Sequence, residues 1–323
     1  MLLFSLAIIG GLIILIWSAD RFVEGAVASA LKIGMTPMMI GITIVAFGTS
    51  APELIVSATA AFEGASNLAV GNALGSNIAN IALVLGITAL VSAIPVTRGI
   101  LKIEMPILIT ATLLATLFII DATLTFWDGI ALLILLTASL LALAKLASGG
   151  NNGTADEIAE TALMSSAKAY GLLGFSIILL LGSSHLLVWG AEGIAKALGV
   201  SDLIIGLTIV AIGTSLPELA ASIASAMKNQ HELALGNIIG SNLFNLLAVL
   251  AIPALVHPPE IDASALYRDY GVMLGLTIGL ALLAFCNHLF EKPYIGKFAG
   301  ILLVSSYVIY LAVLFQQTTS TAL

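Results

Sequence analysis

The feature that most constrains this chain is a segment that occurs twice. GITIVAFGTSAPE at 41–53 returns as GLTIVAIGTSLPE at 206–218, with ten of thirteen positions identical. GNALGSNIAN at 71–80 returns as GNIIGSNLFN at 236–245. Both pairs stand 165 residues apart without a gap, and Gly34 with Gly199 and Glu104 with Asp269 keep the same offset. Internal symmetry of this kind marks a chain built from two units of common design. The junction is the polar stretch SGGNNGTADEIAETALMSSAK at 148–168.

Composition says what surrounds these units. Hydrophobic residues make up 60% of the 323 and charged residues 9%, against roughly 25% charged in soluble domains. A soluble protein with so little charge could not cover its surface. Residues 2–17, 107–120 and 299–315 are almost free of charge, and a membrane helix needs about 20 predominantly apolar residues. The chain is therefore expected to be an all-α integral membrane protein. Five spans are placed in the first half, near 2–30, 37–62, 67–93, 101–120 and 127–147. Five more fall near 170–197, 202–227, 232–256, 266–286 and 295–316. The expected organisation is a first five-helix repeat at 1–147, a cytoplasmic linker at 148–168 and a second repeat at 169–323, with repeat cores at 37–93 and 202–256. No loop is long enough for a separate folded domain.

An odd number of spans per half turns the second half over, which gives two inverted-topology repeats about an axis in the membrane plane. Basic residues support this. Lys32, Arg98, Lys102, Lys145, Lys168, Lys228, Lys292 and Lys297 fall on one face, and Lys196 and Arg268 near the other. The first face is then cytoplasmic by the positive-inside rule and both termini are extracytoplasmic. Arg21 lies within the first span and is expected to pair with Asp20, Glu24 or a neighbouring span. The N-terminus lacks a basic n-region and reads as the first span, not a removable signal. Cys286 reads as a small buried hydrophobe. No basic patch exists for nucleic acid, and the net charge of −7 selects no partner.

Glu53 and Glu218 lie midway through long apolar segments. A carboxylate there costs several kcal/mol and persists only beside a partner, a wet cavity or an ion. Each directly follows a proline, Pro52 or Pro217. Proline lacks a donor and clashes with the carbonyl four residues back, so helices 2 and 7 should break near Gly48 and its counterpart. Carbonyls freed near Ala46 and Thr49, and near Ala211 and Thr214, need new partners, because irregular backbone survives in lipid only where buried or lining a cavity. The dipole of the resumed helix favours an ionised glutamate. Ser50 and Ser215 add hydroxyls. GTSxPE alone is a weak signal; two copies with a buried acid each are a strong one.

The second motif sits on the next span. Its glycines, Gly71 and Gly75, Gly236 and Gly240, make a seam for close helix packing. Ser76 and Asn80 are four apart on one helical face, as are Ser241 and Asn245, and these faces can meet the broken helices. Asn72, Asn77, Asn237 and Asn242 have two readings, ion-site residues or interhelical ties that hold the broken backbone. All candidate ligands are oxygens, which disfavours Zn²⁺ and Cu⁺ and favours a hard cation. Mg²⁺ is seldom held in an all-protein cage, whereas Ca²⁺ accepts six to eight flexible oxygens. Two carboxylates neutralise one Ca²⁺, and Na⁺ can compete for the same oxygens.

The paired GTSxPE and GNxxGSN segments resemble the repeats of the cation/calcium antiporter superfamily, over the whole chain, and most of all the compact prokaryotic sodium/calcium exchangers of the inner membrane. The resemblance implies ten spans, a core from spans 2, 3, 7 and 8, and four cation sites around the two glutamates. It implies that Glu53 and Glu218 bind Ca²⁺ together with the carbonyls of Thr49 and Thr214. Ser50, Ser76, Ser215, Ser241 and the carbonyls of Ala46 and Ala211 would form flanking Na⁺ sites, with Asn80 in the middle. Some relatives carry aspartate where this chain has Asn245. That departure weakens proton binding there and any added affinity for K⁺.

The expected function is alternating-access exchange of Ca²⁺ for Na⁺, extruding Ca²⁺, with the first and sixth spans sliding over the core. A Ca²⁺/H⁺ or Mn²⁺ antiporter on the same scaffold and a passive cation channel are the alternatives. No enzyme site is evident: His185, His231, His257 and His288 are well separated. No cofactor and no obligate protein partner are expected. The partners are Ca²⁺ and Na⁺, with H⁺ as an alternative coupling ion, and the lipid bilayer.

Overall fold

The computed structural model describes residues 1–147, 164–199, 211–261, 265–289 and 294–321. Most of the expected linker, the start of the second broken segment at 202–210 and Lys292 lie outside these residues. Eight helices are long and apolar enough to cross a membrane, or nine if one bent pair counts as a span, among the described residues. They are α1 (Leu2–Ile33), the bent pair α2 (Pro37–Thr49) and α3 (Ala51–Phe62), α4 (Ser66–Val91), α5 (Ile100–Ile119) and α6 (Phe126–Ala147). After the junction come α7 (Ser166–Ala197), the short α8 (Ala211–Thr214) and α9 (Leu216–Met227), α10 (His231–Val256), α11 (Leu266–Leu289) and α12 (Lys297–Thr321).

Local sequence explains the boundaries. Thr36 caps α2 by accepting from Met39 N–H at 3.2 Å, and Pro37 opens the helix where its missing N–H costs nothing. The linker expected to reach 168 ends earlier. Ser165 caps α7 by accepting from Lys168 N–H, so residues 166–168 are already helical. Gly34 and Gly199 turn the chain with φ of 73° and 81°, in the left-handed region that glycine enters without strain.

The layering follows burial. α4 and α10 are 72% and 83% buried, against 22–39% for the other six spans. These two are the centre, and α2, α3 and α9 pack on them. Glycines permit this: a Cβ on Gly41 of the first motif would lie 2.8 Å from Leu233 O on α10, and Gly236 and Gly240 of the second motif sit against Met38 and Ile42, whereas Gly71 and Gly75 meet nothing within 4 Å and do not form the expected seam. α1 and α7 form a second layer, joined to the core through an apolar cluster in which Leu15, Phe22, Leu173 and Leu180 meet Ile40, Val45, Ala221 and Leu233. Two short backbone pairings lace the ends: β1 (Ile94–Pro95) with β2 (Tyr294–Ile295), and Thr123 with Glu260. Cys286 corrects the expectation of burial, for it is exposed on α11. In lipid the outer face is apolar too, so an apolar run does not distinguish inside from outside.

Candidate functional site

Glu53 and Glu218 are both fully buried in the protein centre. Each occupies the first turn of a helix that restarts after a break, behind Pro52 or Pro217 at its N-terminus. α2 and α3 meet at 45° across Ser50. Pro52 has no N–H to return to Gly48, and the next bond across the break runs from Leu54 N–H to Ser50 O at 3.2 Å. The carbonyl of Ala46 is less free than the sequence suggests, since Ser50 N–H donates to it at 2.9 Å. In the other half Ser215 N–H turns to Ile212 O at 3.1 Å, so the two breaks are not identical. Of Ala211 the structure describes only its place at the start of α8.

The halves cross at the carboxylates. Ser50 Oγ donates to Glu218 Oε1 at 3.0 Å, and Ser76 Oγ approaches Glu53 Oε1 at 3.4 Å. Thr214 lies against Glu53, and Thr49 and Ser241 lie beside Glu218. Several other polar atoms have no partner among the described residues. Glu53 Oε2, Glu218 Oε2, the hydroxyls of Ser215 and Ser241 and the amides of Asn77, Asn80 and Asn245 are buried without a hydrogen bond. A buried acceptor left unpaired costs about 1–3 kcal/mol, and more if charged. Two carboxylates with the hydroxyls of Ser50, Ser76, Thr49, Thr214 and Ser241 beside them are oxygen ligands of the kind a hard cation takes. Among the described residues no group of three or more His, Cys, Asp or Glu gathers to hold a softer metal.

The other asparagines divide. Asn72 Nδ2 donates to Glu53 O and Ser57 Oγ, both at 3.0 Å. Asn237 Nδ2 repeats this to Glu218 O at 3.3 Å and Ser222 Oγ at 3.0 Å. Asn237 Oδ1 also accepts from Thr49 Oγ1 at 3.0 Å and ties the halves together. Asn242 instead bonds Ile238 O on its own helix at 2.7 Å. Sequence reasoning missed Ser57 and Ser222, both fully buried. They stand four residues beyond each glutamate and keep the 165-residue offset, the signal that would have found them. It also missed Ser184 of α7, which donates to Gly213 O in the second break at 2.8 Å. Asn80 and Asn245 sit in or open π-helical turns, Ala79–Val84 and Asn245–Val249, whose wider register recurs at functional sites.

Fold and site together define an all-helical membrane protein whose buried centre gathers two carboxylates and a shell of oxygen atoms. The comparisons give this class its family. The family model described as sodium/calcium exchanger protein matches residues 3–145 and 168–316, and the chain belongs to that family. A putative antiporter, CaxA of Alkalimonas amylolytica, is 46% identical over 323 residues, covering 98% of this chain and 100% of its own. The inner membrane protein YrbG of Escherichia coli strain K12 is 40% identical, covering 98% of each. A solved structure of the sodium-calcium exchanger NCX_Mj, soaked with zero Na⁺ and Ca²⁺, superposes with a TM-score of 0.84 at 34% identity, covering 97% of this chain and 99% of that one. The protein is a membrane transporter and not an enzyme.

Proposed function

We propose that the chain exchanges Ca²⁺ for Na⁺ across the membrane by alternating access and uses the Na⁺ gradient to extrude Ca²⁺. One observation carries this reading. Two fully buried glutamates, one from each repeat, each keep an oxygen without a partner inside an all-oxygen shell. Two negative charges balance one Ca²⁺, and Na⁺ competes for the same atoms, so occupancy by one ion excludes the other. A relative named as a putative antiporter supports exchange, and a neighbour named as a sodium-calcium exchanger supports this pair of ions.

In this reading Glu53, Glu218 and the carbonyls of Thr49 and Thr214 hold Ca²⁺. Ser50, Ser76, Ser215, Ser241 and the carbonyls of Ala46 and Ala211 flank them for Na⁺, with Asn80 and Asn245 between. Asn72 and Asn237 hold the broken backbone in place. The chain has ten spans as two inverted repeats, with both broken segments in the core. It sits in the inner membrane, as the name of one relative suggests, with both termini outside the cytoplasm. The long pair α1 and α7 slides over the core to expose the site to each side in turn.

Proteoliposomes test this directly. Vesicles loaded with Na⁺ are expected to take up ⁴⁵Ca²⁺ in Na⁺-free medium, and vesicles without a Na⁺ gradient are not. Uptake driven by a pH gradient alone assigns proton coupling instead. Ca²⁺ conductance without counter-ion flux assigns a channel.

A further inference from the structure

α1 and α7 pack as a pair, closest where Gly25 of α1 and its repeat counterpart Gly190 of α7 meet the partner's backbone. An added Cβ would come within 2.7 Å of Leu173 N and 2.8 Å of Phe4 O. On one face this pair is tied to the core by charge. Lys228 Nζ lies 2.6 Å from Asp20 Oδ1 and donates to Asp20 O at 2.9 Å. Arg21 turns aside to Asp20 Oδ2 at 2.6 Å and Glu24 at 2.7 Å, as the sequence leads one to expect.

The repeat offset gives this contact a second copy. Lys228 corresponds to Glu63, and Asp20 to His185. Lys228 is the C-cap of α9 and Glu63 the C-cap of α3. Each is followed by a left-handed residue, Asn229 with φ 59° and Gly64 with φ 77°, so the two helix ends have one shape. The chemical roles are reversed: here the core carries the acid and the long helix the donor. Glu63 stands at the negative end of its helix dipole, the disfavoured place for a carboxylate. Fold stability does not account for it there. Glu63 and His185 are both exposed and make no ion pair among the described residues.

We propose that Asp20–Lys228 and His185–Glu63 are two alternative latches. The first holds the long pair against the core when the cytoplasmic face is closed. The second forms on the opposite face after the pair has slid. This rests on the exchange reading and on the inverted repeats, because inversion puts equivalent residues on opposite faces. One state can satisfy only one latch, and the structure shows the first made and the second open. Repeat symmetry makes the contact sites equivalent, while the reversed charges keep the wrong partners apart. Lys228 cannot serve both positions.

Transport from a defined side tests this in the full chain. Losing a latch depopulates the state it closes. Lys228→Met is expected to weaken apparent Ca²⁺ affinity at the external face about 2- to 5-fold, and Glu63→Gln to strengthen it by a similar factor. Shifts of the same sign, or no shift in either, overturn the latches. A second readout does not depend on transport. Asp20→Cys, Lys228→Cys, Glu63→Cys and His185→Cys are combined in a Cys286→Ala chain and treated with a short bifunctional thiol reagent. Each molecule is expected to carry one bridge or the other, and molecules carrying both overturn the proposal. Absence of Na⁺-driven Ca²⁺ uptake in the wild type would end the exchange reading while leaving the bridge pattern to decide the latches.

Discussion

At the scale of residues, the two glutamates are alike in burial and unlike in support. Glu218 receives a close hydroxyl from Ser50 across the halves, with Thr49 and Ser241 beside it, while Glu53 has the longer approach of Ser76 with Thr214 beside it. Removing either charge leaves a bound cation half neutralised in a water-poor site. Breaking such a buried pair costs about 3–5 kcal/mol. Glu53→Gln and Glu218→Gln are each expected to lower Ca²⁺ affinity by roughly 10²–10³-fold, measured by calorimetric titration. The asparagine braces are expected to act more weakly. Ser222→Ala unpairs one buried amide N–H and costs about 1–3 kcal/mol, seen as a lower Tm in detergent. Asn237→Leu loses bonds to Glu218 O, Ser222 and Thr49 and is expected to fall further. The carboxylates were legible in the sequence because an acid inside an apolar run has no cheap explanation. Ser57 and Ser222 were not, because a serine in a membrane helix has many, and only their partners reveal a role. Nor could sequence show that Ala46 O already accepts from Ser50 N–H, since that depends on the exact torsion at the break.

At the scale of elements, close approach decides. α2 meets α10 through Gly41, Gly236 and Gly240, where an added methyl has no room without moving backbone. Gly240→Ala is expected to cost about 1–3 kcal/mol as overpacking, read as a fall in Tm. Gly279→Ala, on an exposed stretch of α11 with nothing within 4 Å, is expected not to lower Tm and to raise it slightly, since alanine favours the helix. The bend between α2 and α3 was readable because proline acts locally. The π-helical turns at Ala79–Val84 and Asn245–Val249 were not. Their wider register leaves no periodicity in the apolar pattern. Exposure of Cys286 was hidden for a related reason, since lipid-facing and core-facing residues share one composition.

At the scale of the whole molecule, the repeat offset organised what was read and also marks where the halves differ. Phe47 and Phe244 pack with ring centroids 5.7 Å apart, while their counterparts are Ile212 and Ala79. Ser184 holds the Gly213 carbonyl, while its counterpart Ala19 has no hydroxyl. The two halves are therefore packed differently around their broken segments. Orientation is open to a direct check: in a Cys286→Ala chain, Asp121→Cys is expected to react with an impermeant thiol reagent on intact cells, and Lys145→Cys only after permeabilisation. The central claim is that one pair of repeat-related carboxylates serves both ions. The most direct measurement is ⁴⁵Ca²⁺ binding to the purified protein as Na⁺ is raised. Na⁺ is expected to displace Ca²⁺ competitively, and the Glu53→Gln/Glu218→Gln double variant is expected to bind none. Ca²⁺ that stays bound in the double variant, or that Na⁺ does not displace, would contradict it.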